Sequence, residues 1–325
     1  MEPILSVDQV SVQFKKKKQL LTAVEKVSFH VELGEILGIV GESGCGKSVT
    51  SLAIMGLLAA NAFVSEGRIL YKGQDILKLS EKEMCSLRGN KISMIFQDPM
   101  TALNPTVTIG KQLIEPFVIH QGYGKQDAWK QALEMLAKVG ISSPEQRMKQ
   151  YPHQMSGGML QRVVIAMALA CKPQVLIADE PTTALDVTIQ AQILDLIREL
   201  RDELGTAVIL ITHDMGVVAE TADQVLVLYA GKTVEYGTVE SVFQGAKHPY
   251  TQALLNSIPN IKIQEEQLSA IPGTVPMLGH MPQGCRFFPR CKKAIEICRE
   301  ECPEMYQVSG SRVSCFQYKP GEENE

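Results

Sequence analysis

The sequence predicts an α/β fold built around a parallel β-sheet, and three observations support this prediction. A glycine-rich loop, Gly41 to Ser48, stands between an apolar run, Ile36 to Val40, and a stretch of helix-forming residues. A second apolar run, Val175 to Ala178, ends in an aspartate and a glutamate. Segments with strand and helix patterns also alternate along most of the chain, as they do when helices connect parallel strands.

The composition is that of a globular protein with a hydrophobic core. The chain has 325 residues, 45% of them hydrophobic, and its formal net charge of −4 does not indicate a nucleic-acid partner. The N-terminus lacks the pattern of a signal peptide, and the longest nearly uncharged apolar stretch, Leu52 to Val64, is too short to span a bilayer. We therefore expect an intracellular, soluble chain that reaches a membrane only through a partner.

The first segment, residues 1–97, is predicted to form mainly strands. Alternating apolar residues begin at Leu5, and the run of lysines from Lys15 to Lys18 indicates a solvated hairpin tip. The other strands predicted around the glycine-rich loop are Val24 to Leu33, residues 67–72 and Ile92 to Phe96.

The remaining chain is predicted to form three segments. Residues 98–156 indicate a helical insertion, in which prolines at 99, 105 and 116 interrupt the first part and helical spacing follows from Ala128 to Val139. Residues 157–240 return to alternating helices and strands and end in a hairpin around Gly231 and Lys232. Residues 241–325 are interrupted by prolines and end in a cysteine cluster, which predicts a small C-terminal extension.

The glycine-rich loop has the pattern G-x-x-x-x-G-K-S of a phosphate-binding P-loop. Glycines let successive backbone N–H groups point at one phosphate, and the following helix N-terminus adds partial positive charge. Lys47 can reach the β- and γ-phosphates of a nucleotide, and the Ser48 hydroxyl can bind Mg²⁺. A glycine-rich turn without a ligand is the alternative. The ATP-binding residues predicted here are Gly41, Ser43, Gly44, Gly46, Lys47 and Ser48.

The apolar run that ends in Asp179 and Glu180 is the second nucleotide element. It delivers both carboxylates to the carboxyl end of a strand, where open α/β sheets bind their ligands. Asp179 can hold the Mg²⁺ shell, and Glu180 can polarise a water in line with the γ-phosphate. Two acids at a strand end also occur by chance, but the upstream P-loop favours the functional interpretation.

The stretch Met155 to Arg162 is the third element. Ser156, Gly157 and Gly158 open a predicted helix and form an anion-ready N-terminus, although a simple helix cap has the same pattern. Together with the other two motifs, this stretch resembles the signature loop of the ABC ATPases. The family usually has leucine where this chain has Met155.

Four further positions match the ABC ATPases in order, and the resemblance covers residues 5 to about 240. Gln97 resembles the glutamine that senses Mg²⁺ and the attacking water, and His213 resembles the switch histidine that contacts the γ-phosphate. Asp186, in Ala184-Leu185-Asp186, matches the D-loop. Phe14 resembles the aromatic residue that stacks on adenine, with a core phenylalanine as the alternative.

This resemblance implies the architecture and the catalytic set. It implies a P-loop ABC ATPase core with an N-terminal antiparallel β subdomain and an inserted helical subdomain. Residues 1–97 and 157–240 would be the two parts of the nucleotide-binding core, and residues 98–156 the helical signature subdomain between them. It also implies a head-to-tail dimer, in which each ATP lies between one subunit's P-loop and the other's signature loop. The catalytic residues would be Glu180, His213 and Gln97, and the Mg²⁺-binding residues would be Ser48, Gln97 and Asp179.

The C-terminal segment resembles one branch of the ABC importers. The stretches Lys247 to Leu255 and Pro282 to Cys291 are similar to the C-terminal region of peptide and nickel importer ATPases. Thiolates at irregular spacing suit an iron–sulfur cluster, with zinc as the alternative. Small buried thiols without a metal are a further possibility.

The related dipeptide importer ATPases hold a [4Fe-4S] cluster in this region. The ligands implied by the resemblance are Cys285, Cys291, Cys298 and Cys315. Cys302 has no clear counterpart in the family and could substitute for one of them.

The resemblance implies an ATP-hydrolysing subunit of a binding-protein-dependent importer of dipeptides or oligopeptides. Its partners would be a second, different ATPase subunit, two membrane permeases docked on the helical insertion, and an extracytoplasmic substrate-binding protein. It would act at the cytoplasmic face of the cell membrane. The alternatives are a nickel or metal-chelate importer, a soluble ABC ATPase acting on ribosomes or DNA, and a non-enzymatic redox or metal sensor.

Overall fold

The structure is a computed structural model that describes residues 2–182, 187–257 and 271–320. The chain divides into two compact units, which we describe separately. Unit 1 comprises Met1–Ile4, Val31–Glu35 and Asp75–Ile209, and unit 2 comprises Leu5–His30, Ile36–Gln74 and Leu210–Glu325. The predicted division into four segments remains a prediction.

The described residues form strands and helices in an alternating order. The strands are β1 (Leu5–Lys16), β2 (Gln19–Val31), β3 (Ile36–Val40), β4 (Ala62–Tyr71), β5 (Gln74–Asp75), β6 (Ile92–Ile95), β7 (Val175–Asp179), β8 (Ala207–Thr212), β9 (Gln224–Tyr229), β10 (Lys232–Thr238), β11 (Tyr306–Val308) and β12 (Ser311–Val313). The helices are α1 (Lys47–Met55), α2 (Glu81–Leu87), α3 (Pro99–Ala102), α4 (Ile109–Gln121), α5 (Lys125–Lys138), α6 (Pro144–Arg147), α7 (Gly157–Leu169), α8 (Val187–Leu204), α9 (Met215–Thr221), α10 (Val239–Gly245), α11 (Pro249–Asn256) and α12 (Ile297–Glu300).

Unit 2 contains the antiparallel sheet predicted at the N-terminus. Strand β1 lies between β2 and β4, and it pairs antiparallel with β4 so that Leu5 is opposite Tyr71. Leu5 and Val7 alternate with half-buried residues, and after a register shift between Asp8 and Val12 the residues Val10, Ser11 and Val12 are all buried. The predicted hairpin tip is confirmed, because Lys17 and Lys18 form the turn between β1 and β2.

Unit 2 also contains the strand that leads into the P-loop. All residues of β3 are buried, and β9 runs parallel beside it with Val40 opposite Val227. Strands β9 and β10 form the predicted hairpin, and the sheet continues from β10 through β12 to β11. The sequences of parallel strands that are buried on both faces are nearly continuous apolar runs, and the sequence of β3 is such a run.

Unit 1 contains the strand pair that carries the carboxylates. Strands β6 and β7 are parallel, with Ile92 opposite Val175, and every residue of both strands is buried. Helix α5 buries Ala128, Ala132 and Leu136, which recur every fourth residue and so form one face. Helix α7 packs against α3, α4 and α5 of the same unit.

One local prediction of the sequence analysis is wrong, because Pro116 does not interrupt a helix. It lies inside α4, which continues from Ile109 to Gln121. Proline in a helix interior removes one backbone hydrogen bond. The burial of Leu113 and Phe117 on either side of Pro116 offsets this cost.

The predicted fold class is confirmed. The described residues combine an antiparallel N-terminal sheet, parallel strand pairs with helices and a cysteine-bearing C-terminal extension. Among the described residues, none of the helices has the length and hydropathy needed to cross a membrane.

Candidate functional site

The P-loop begins where β3 ends and continues into α1, as the motif requires. A Cβ atom at Gly41 would lie 2.2 Å from the carbonyl oxygen of Leu228, so only glycine fits at this first position. Gly46 is the N-cap residue of α1 and has a φ of 99°, a left-handed conformation that favours glycine. Ser43 and Gly44 are exposed at the tip of the loop. Glycine is therefore required at Gly41 by the close approach of Leu228, and it is favoured at Gly46 by the left-handed backbone.

The side chain of Lys47 is held against the start of the P-loop. Lys47 is only 5% exposed, and its Nζ donates hydrogen bonds to the carbonyl oxygens of Gly41 at 2.7 Å and Glu42 at 3.2 Å. Ser48 follows it in the first turn of α1 and is half-buried. The loop thus presents a cation and a hydroxyl beside a helix N-terminus, which is the chemistry that polyphosphates require.

Gln97 and the carboxylates meet in unit 1 at the carboxyl ends of β6 and β7. The Nε2 of Gln97 donates a hydrogen bond to Oε2 of Glu180 at 2.9 Å. Asp179 is the last residue of β7 and is 3% exposed, whereas Glu180 is half-buried and Gln97 is exposed. The backbone of Glu180 has a φ of 47°, which is uncommon for a residue with a side chain and is typical of functional sites.

The predicted signature loop starts a helix of unit 1. Ser156 is the N-cap residue of α7, and its hydroxyl accepts a hydrogen bond from the backbone N–H of Met159 at 3.4 Å. Ser156 and Gly157 are exposed, and no atom lies within 4 Å of the position that a Cβ on Gly157 would take. This helix N-terminus is therefore accessible to a ligand or to a partner subunit.

Two other predicted site residues, His213 and Phe14, lie in unit 2. His213 follows β8 in unit 2 and is exposed, next to Asp214, which caps α9. Phe14 lies in β1 opposite Ala62 and is half-buried. Asp186 lies outside the described residues.

Four cysteines of the C-terminal extension line one cavity in unit 2. These cysteines are Cys285, Cys291, Cys298 and Cys315, the same four that the family resemblance implies as ligands. His248, Phe287 and Phe316 line the same cavity. The thiol of Cys302 instead donates to the carbonyl oxygen of Gly284 at 2.9 Å. Within residues 2–182, 187–257 and 271–320, no group of three or more potential ligands is arranged as a metal site.

The protonation of these thiols follows from their burial. Burial raises the pKa of Cys285 to about 12, and the neighbouring Cys298 and Cys315 raise it further. Burial also raises the pKa of Cys291 and of Cys315. Burial, with a smaller contribution from the neighbouring thiols, thus disfavours the thiolate forms of Cys285, Cys291 and Cys315 near neutral pH, and a bound cation would reverse this preference.

The C-terminal extension also contacts the P-loop, which the sequence analysis missed. The phenol oxygen of Tyr250 and the guanidinium of Arg290 both bond to Glu42, the residue after Gly41. These partners are 208 and 248 positions away from Glu42 along the chain, so no local pattern reveals them.

Comparison with known proteins assigns these features to a family. The family model described as ABC transporter matches residues 24–183, which include the P-loop, the signature loop and both carboxylates. The chain is 49% identical to the oligopeptide transport ATP-binding protein AppD of Bacillus subtilis over 98% of this chain and 98% of that protein. The chain belongs to the ABC transporter ATP-binding proteins. It is an ATPase of the ABC type.

Further similarities refine this assignment. The model described as oligopeptide/dipeptide transporter, C-terminal region, matches residues 234–298 of this ABC protein. It is 54% identical to the dipeptide transport ATP-binding protein DppD of Bacillus subtilis, over 97% of this chain and 95% of that protein. It is 48% identical to the DppD protein of Escherichia coli strain K12, over 97% of this chain and 96% of that protein.

A solved structure supports the same fold. The ATP-binding cassette MJ0796, described as a dimer in a post-hydrolysis state bound to ADP and Pi, matches with a TM-score of 0.66 and 28% identity. The match covers 72% of this chain and 98% of that cassette.

Proposed function

We propose that this protein is the ATP-hydrolysing subunit of an importer that takes up dipeptides or oligopeptides through partner permeases. The observation that carries this proposal is the match of residues 234–298 to the oligopeptide/dipeptide transporter C-terminal region. The relatives reported above are named for oligopeptide and dipeptide transport, and none of them is named for nickel. The nickel alternative is therefore not favoured.

Each nucleotide motif has a separate role in this proposal. The backbone of the P-loop and Lys47 bind the phosphates of ATP, while Ser48, Gln97 and Asp179 bind Mg²⁺. Glu180 polarises the attacking water, and His213 contacts the γ-phosphate. Phe14 stacks on the adenine ring. The hydrogen bond between Gln97 and Glu180 supports a shared site for these two residues.

The proposed quaternary arrangement is a head-to-tail dimer of two different ATPase subunits. Ser156, Gly157, Gly158 and Asp186 act on the nucleotide held by the partner's P-loop. The exposed N-terminus of α7 and the dimeric relative with ADP and Pi support this arrangement. ATP binding would close the dimer and hydrolysis would open it, which drives the two permeases.

The remaining partners follow from the importer function. We propose that an extracytoplasmic binding protein delivers the peptide and that this subunit sits on the permeases at the cytoplasmic face of the cell membrane. The helical part, residues 98–156, would be the docking surface for the permeases.

Uptake by cells tests the proposed cargo. Cells whose only copy of this subunit carries Glu180→Gln are expected to lose uptake of labelled dipeptides or oligopeptides and to keep nickel uptake, because only the peptide importer depends on this ATPase. Cells with the unaltered chain are the matched control. Loss of nickel uptake with unchanged peptide uptake would contradict the peptide assignment.

We further propose that the C-terminal extension holds a [4Fe-4S] cluster, with zinc as the alternative. The supporting observation is that Cys285, Cys291, Cys298 and Cys315 line one cavity, because four thiolates are the donor set that both groups use. When bound, such a group supplies a cross-link between segments of the extension that are distant in sequence. We favour this structural role over electron transfer.

Replacing Cys291 with serine tests the metal proposal. The purified variant is expected to lose bound iron and to melt about 4–8 °C lower. This is the shift that a loss of about 2 kcal/mol in the free energy of unfolding causes in a domain of about 150–250 residues. Cys85→Ser is the matched control, because Cys85 is exposed on α2. Metal analysis separates iron from zinc. Equal metal content and equal melting temperatures for the two variants would contradict both forms of the proposal.

A further inference from the structure

Glu42 occupies the first variable position of the P-loop, and each of its polar groups has a partner. Its backbone N–H donates to the Tyr250 hydroxyl oxygen at 2.9 Å. Its carbonyl oxygen accepts hydrogen bonds from Lys47 Nζ at 3.2 Å and from the backbone N–H of Cys45 at 3.3 Å. Its carboxylate pairs with Arg290. The conformation of the loop at this position is therefore fixed by groups on three sides.

The guanidinium of Arg290 uses every one of its donors. Two parallel bonds reach the Glu42 carboxylate, with Nη1 at 2.7 Å from Oε2 and Nη2 at 3.0 Å from Oε1. The other donors reach the Tyr229 hydroxyl and the carbonyl oxygens of Ile271 and Pro272. The Arg290 side chain is only 4% exposed, and the Glu42 contact raises its pKa above the usual value. Such bidentate geometry is specific to arginine.

Tyr250 supplies a second, independent anchor. It is fully buried in α11 and packs edge-on against Tyr229, with ring centroids 4.6 Å apart, and against Phe287 at 5.4 Å. Burial raises the pKa of Tyr250, so the hydroxyl stays neutral and accepts the Glu42 N–H. The aromatic cluster locks the ring, and the position of the phenol oxygen is therefore fixed.

Both anchors belong to the C-terminal extension and not to the nucleotide-binding motifs. Arg290 directly precedes Cys291, which lines the cysteine cavity. In the same segment, Arg286 pairs with Glu25 and with the carbonyl oxygen of Ala230. Gly231, which follows Ala230 in the chain, donates its backbone N–H to the carbonyl oxygen of Cys45 in the P-loop at 2.8 Å. The segment that carries Cys285 and Cys291 thus contacts the P-loop directly through Arg290, and through Arg286 it contacts the β9–β10 turn that bonds to the P-loop.

We propose that Arg290 and Tyr250 are positioning residues that hold the P-loop in its phosphate-binding conformation through Glu42. ATP affinity then depends on the C-terminal extension, although no residue of the extension is a known ATP motif. This inference rests on the proposed binding of ATP phosphates by the P-loop. A purely electrostatic effect is the competing explanation, because removing Arg290 leaves an unpaired carboxylate close to the phosphate site.

A double-mutant cycle separates positioning from electrostatics. Arg290→Gln, Glu42→Gln and the double variant are prepared in the full chain, and the Kd for ATP and the melting temperature are measured for each. Positioning predicts that all three variants bind ATP about 5- to 150-fold more weakly, the range typical of coupling between sites, and that the two changes are not additive. Electrostatics predicts that Glu42→Gln binds ATP as well as or better than the unaltered protein, and that it rescues Arg290→Gln.

Two conservative variants and one control sharpen the test. Arg290→Lys keeps the charge but cannot make the bidentate pair, so we expect it to remain weak in ATP binding. Tyr250→Phe removes only the acceptor of the Glu42 N–H, and we expect a smaller loss in the same direction. Arg299→Gln changes an exposed arginine of the same extension and is expected to bind ATP normally.

The outcomes distinguish this inference from the proposed function. Unchanged ATP affinity in Glu42→Gln and in the double variant overturns the inference, even if their melting temperatures fall. Rescue of Arg290→Gln by Glu42→Gln also overturns it, in favour of electrostatics. If the unaltered protein fails to bind ATP, the proposed function fails and takes this inference with it. If Arg290→Gln does not fold, Glu42→Gln still tests the inference. The Glu42 side chain is 30% exposed, so the polar glutamine is expected to be tolerated there.

Discussion

Replacing Glu180 with glutamine is expected to reduce ATP hydrolysis about 100- to 10,000-fold, the range typical of losing a general base. The amide keeps the size of the carboxylate but cannot accept a proton from water. Gln97 donates its hydrogen bond to Glu180 Oε2 at 2.9 Å, and the amide oxygen of the variant can accept the same bond. The substitution is therefore expected to abolish general-base catalysis while the hydrogen bond to Gln97 and the local structure persist.

Phosphate release by the assembled subunits measures this effect. ATP binding should survive in Glu180→Gln, so the variant is expected to retain unhydrolysed ATP after removal of excess nucleotide. Glu199→Gln is the matched control, because Glu199 is an exposed carboxylate of α8 in the same unit. Turnover by Glu180→Gln within threefold of this control would show that another group activates the water.

The elements that the sequence predicted well are those with a local signal. The β9–β10 hairpin follows from two apolar runs around Gly231, and the P-loop strand from a short apolar run before the motif. Helix α4 was not predicted, because Pro116 is a local signal against helix formation. The burial of Phe117 that offsets it is a tertiary property, which the local pattern does not contain.

The site shows the same division between local and distant signals. The motifs predicted which residues belong to the P-loop, the carboxylate pair and the signature loop, because each lies within a few consecutive positions. The left-handed backbone of Glu180 has no signal in the residue type. The contacts of Glu42 with Tyr250 and Arg290 join positions more than 200 apart, so only the folded chain shows them.

The cysteine cluster was predictable in part from a local signal and in part only from the folded chain. Their concentration near the C-terminus predicted a cluster, but the sequence could not decide between Cys302 and the other four. The structure places Cys285, Cys291, Cys298 and Cys315 around one cavity, while the thiol of Cys302 bonds to Gly284. Which cysteines share the cavity is therefore a consequence of chain folding, and the spacing alone does not determine it.

Replacing Lys47 with alanine is expected to weaken ATP binding about 100-fold or more, since two charge-assisted hydrogen bonds to phosphates contribute about 1.5–3 kcal/mol each. The carbonyl oxygens of Gly41 and Glu42 also lose their ammonium donor. Stability is expected to fall by about 1–3 kcal/mol for this reason. The two effects must be measured separately.

The rise in melting temperature on adding ATP and Mg²⁺ separates them. A ligand stabilises the folded state in proportion to the logarithm of its concentration over Kd, so the ATP-induced rise reports affinity even when the starting stability is lower. Lys78→Ala is the matched control, because the Lys78 side chain is 80% exposed. If Lys47 acts through the β- and γ-phosphates, the loss for ATP exceeds the loss for AMP, which has neither. Equal losses for ATP and AMP would mean that the alanine variant distorts the loop as a whole, and an unchanged ATP-induced rise would exclude Lys47 from phosphate binding.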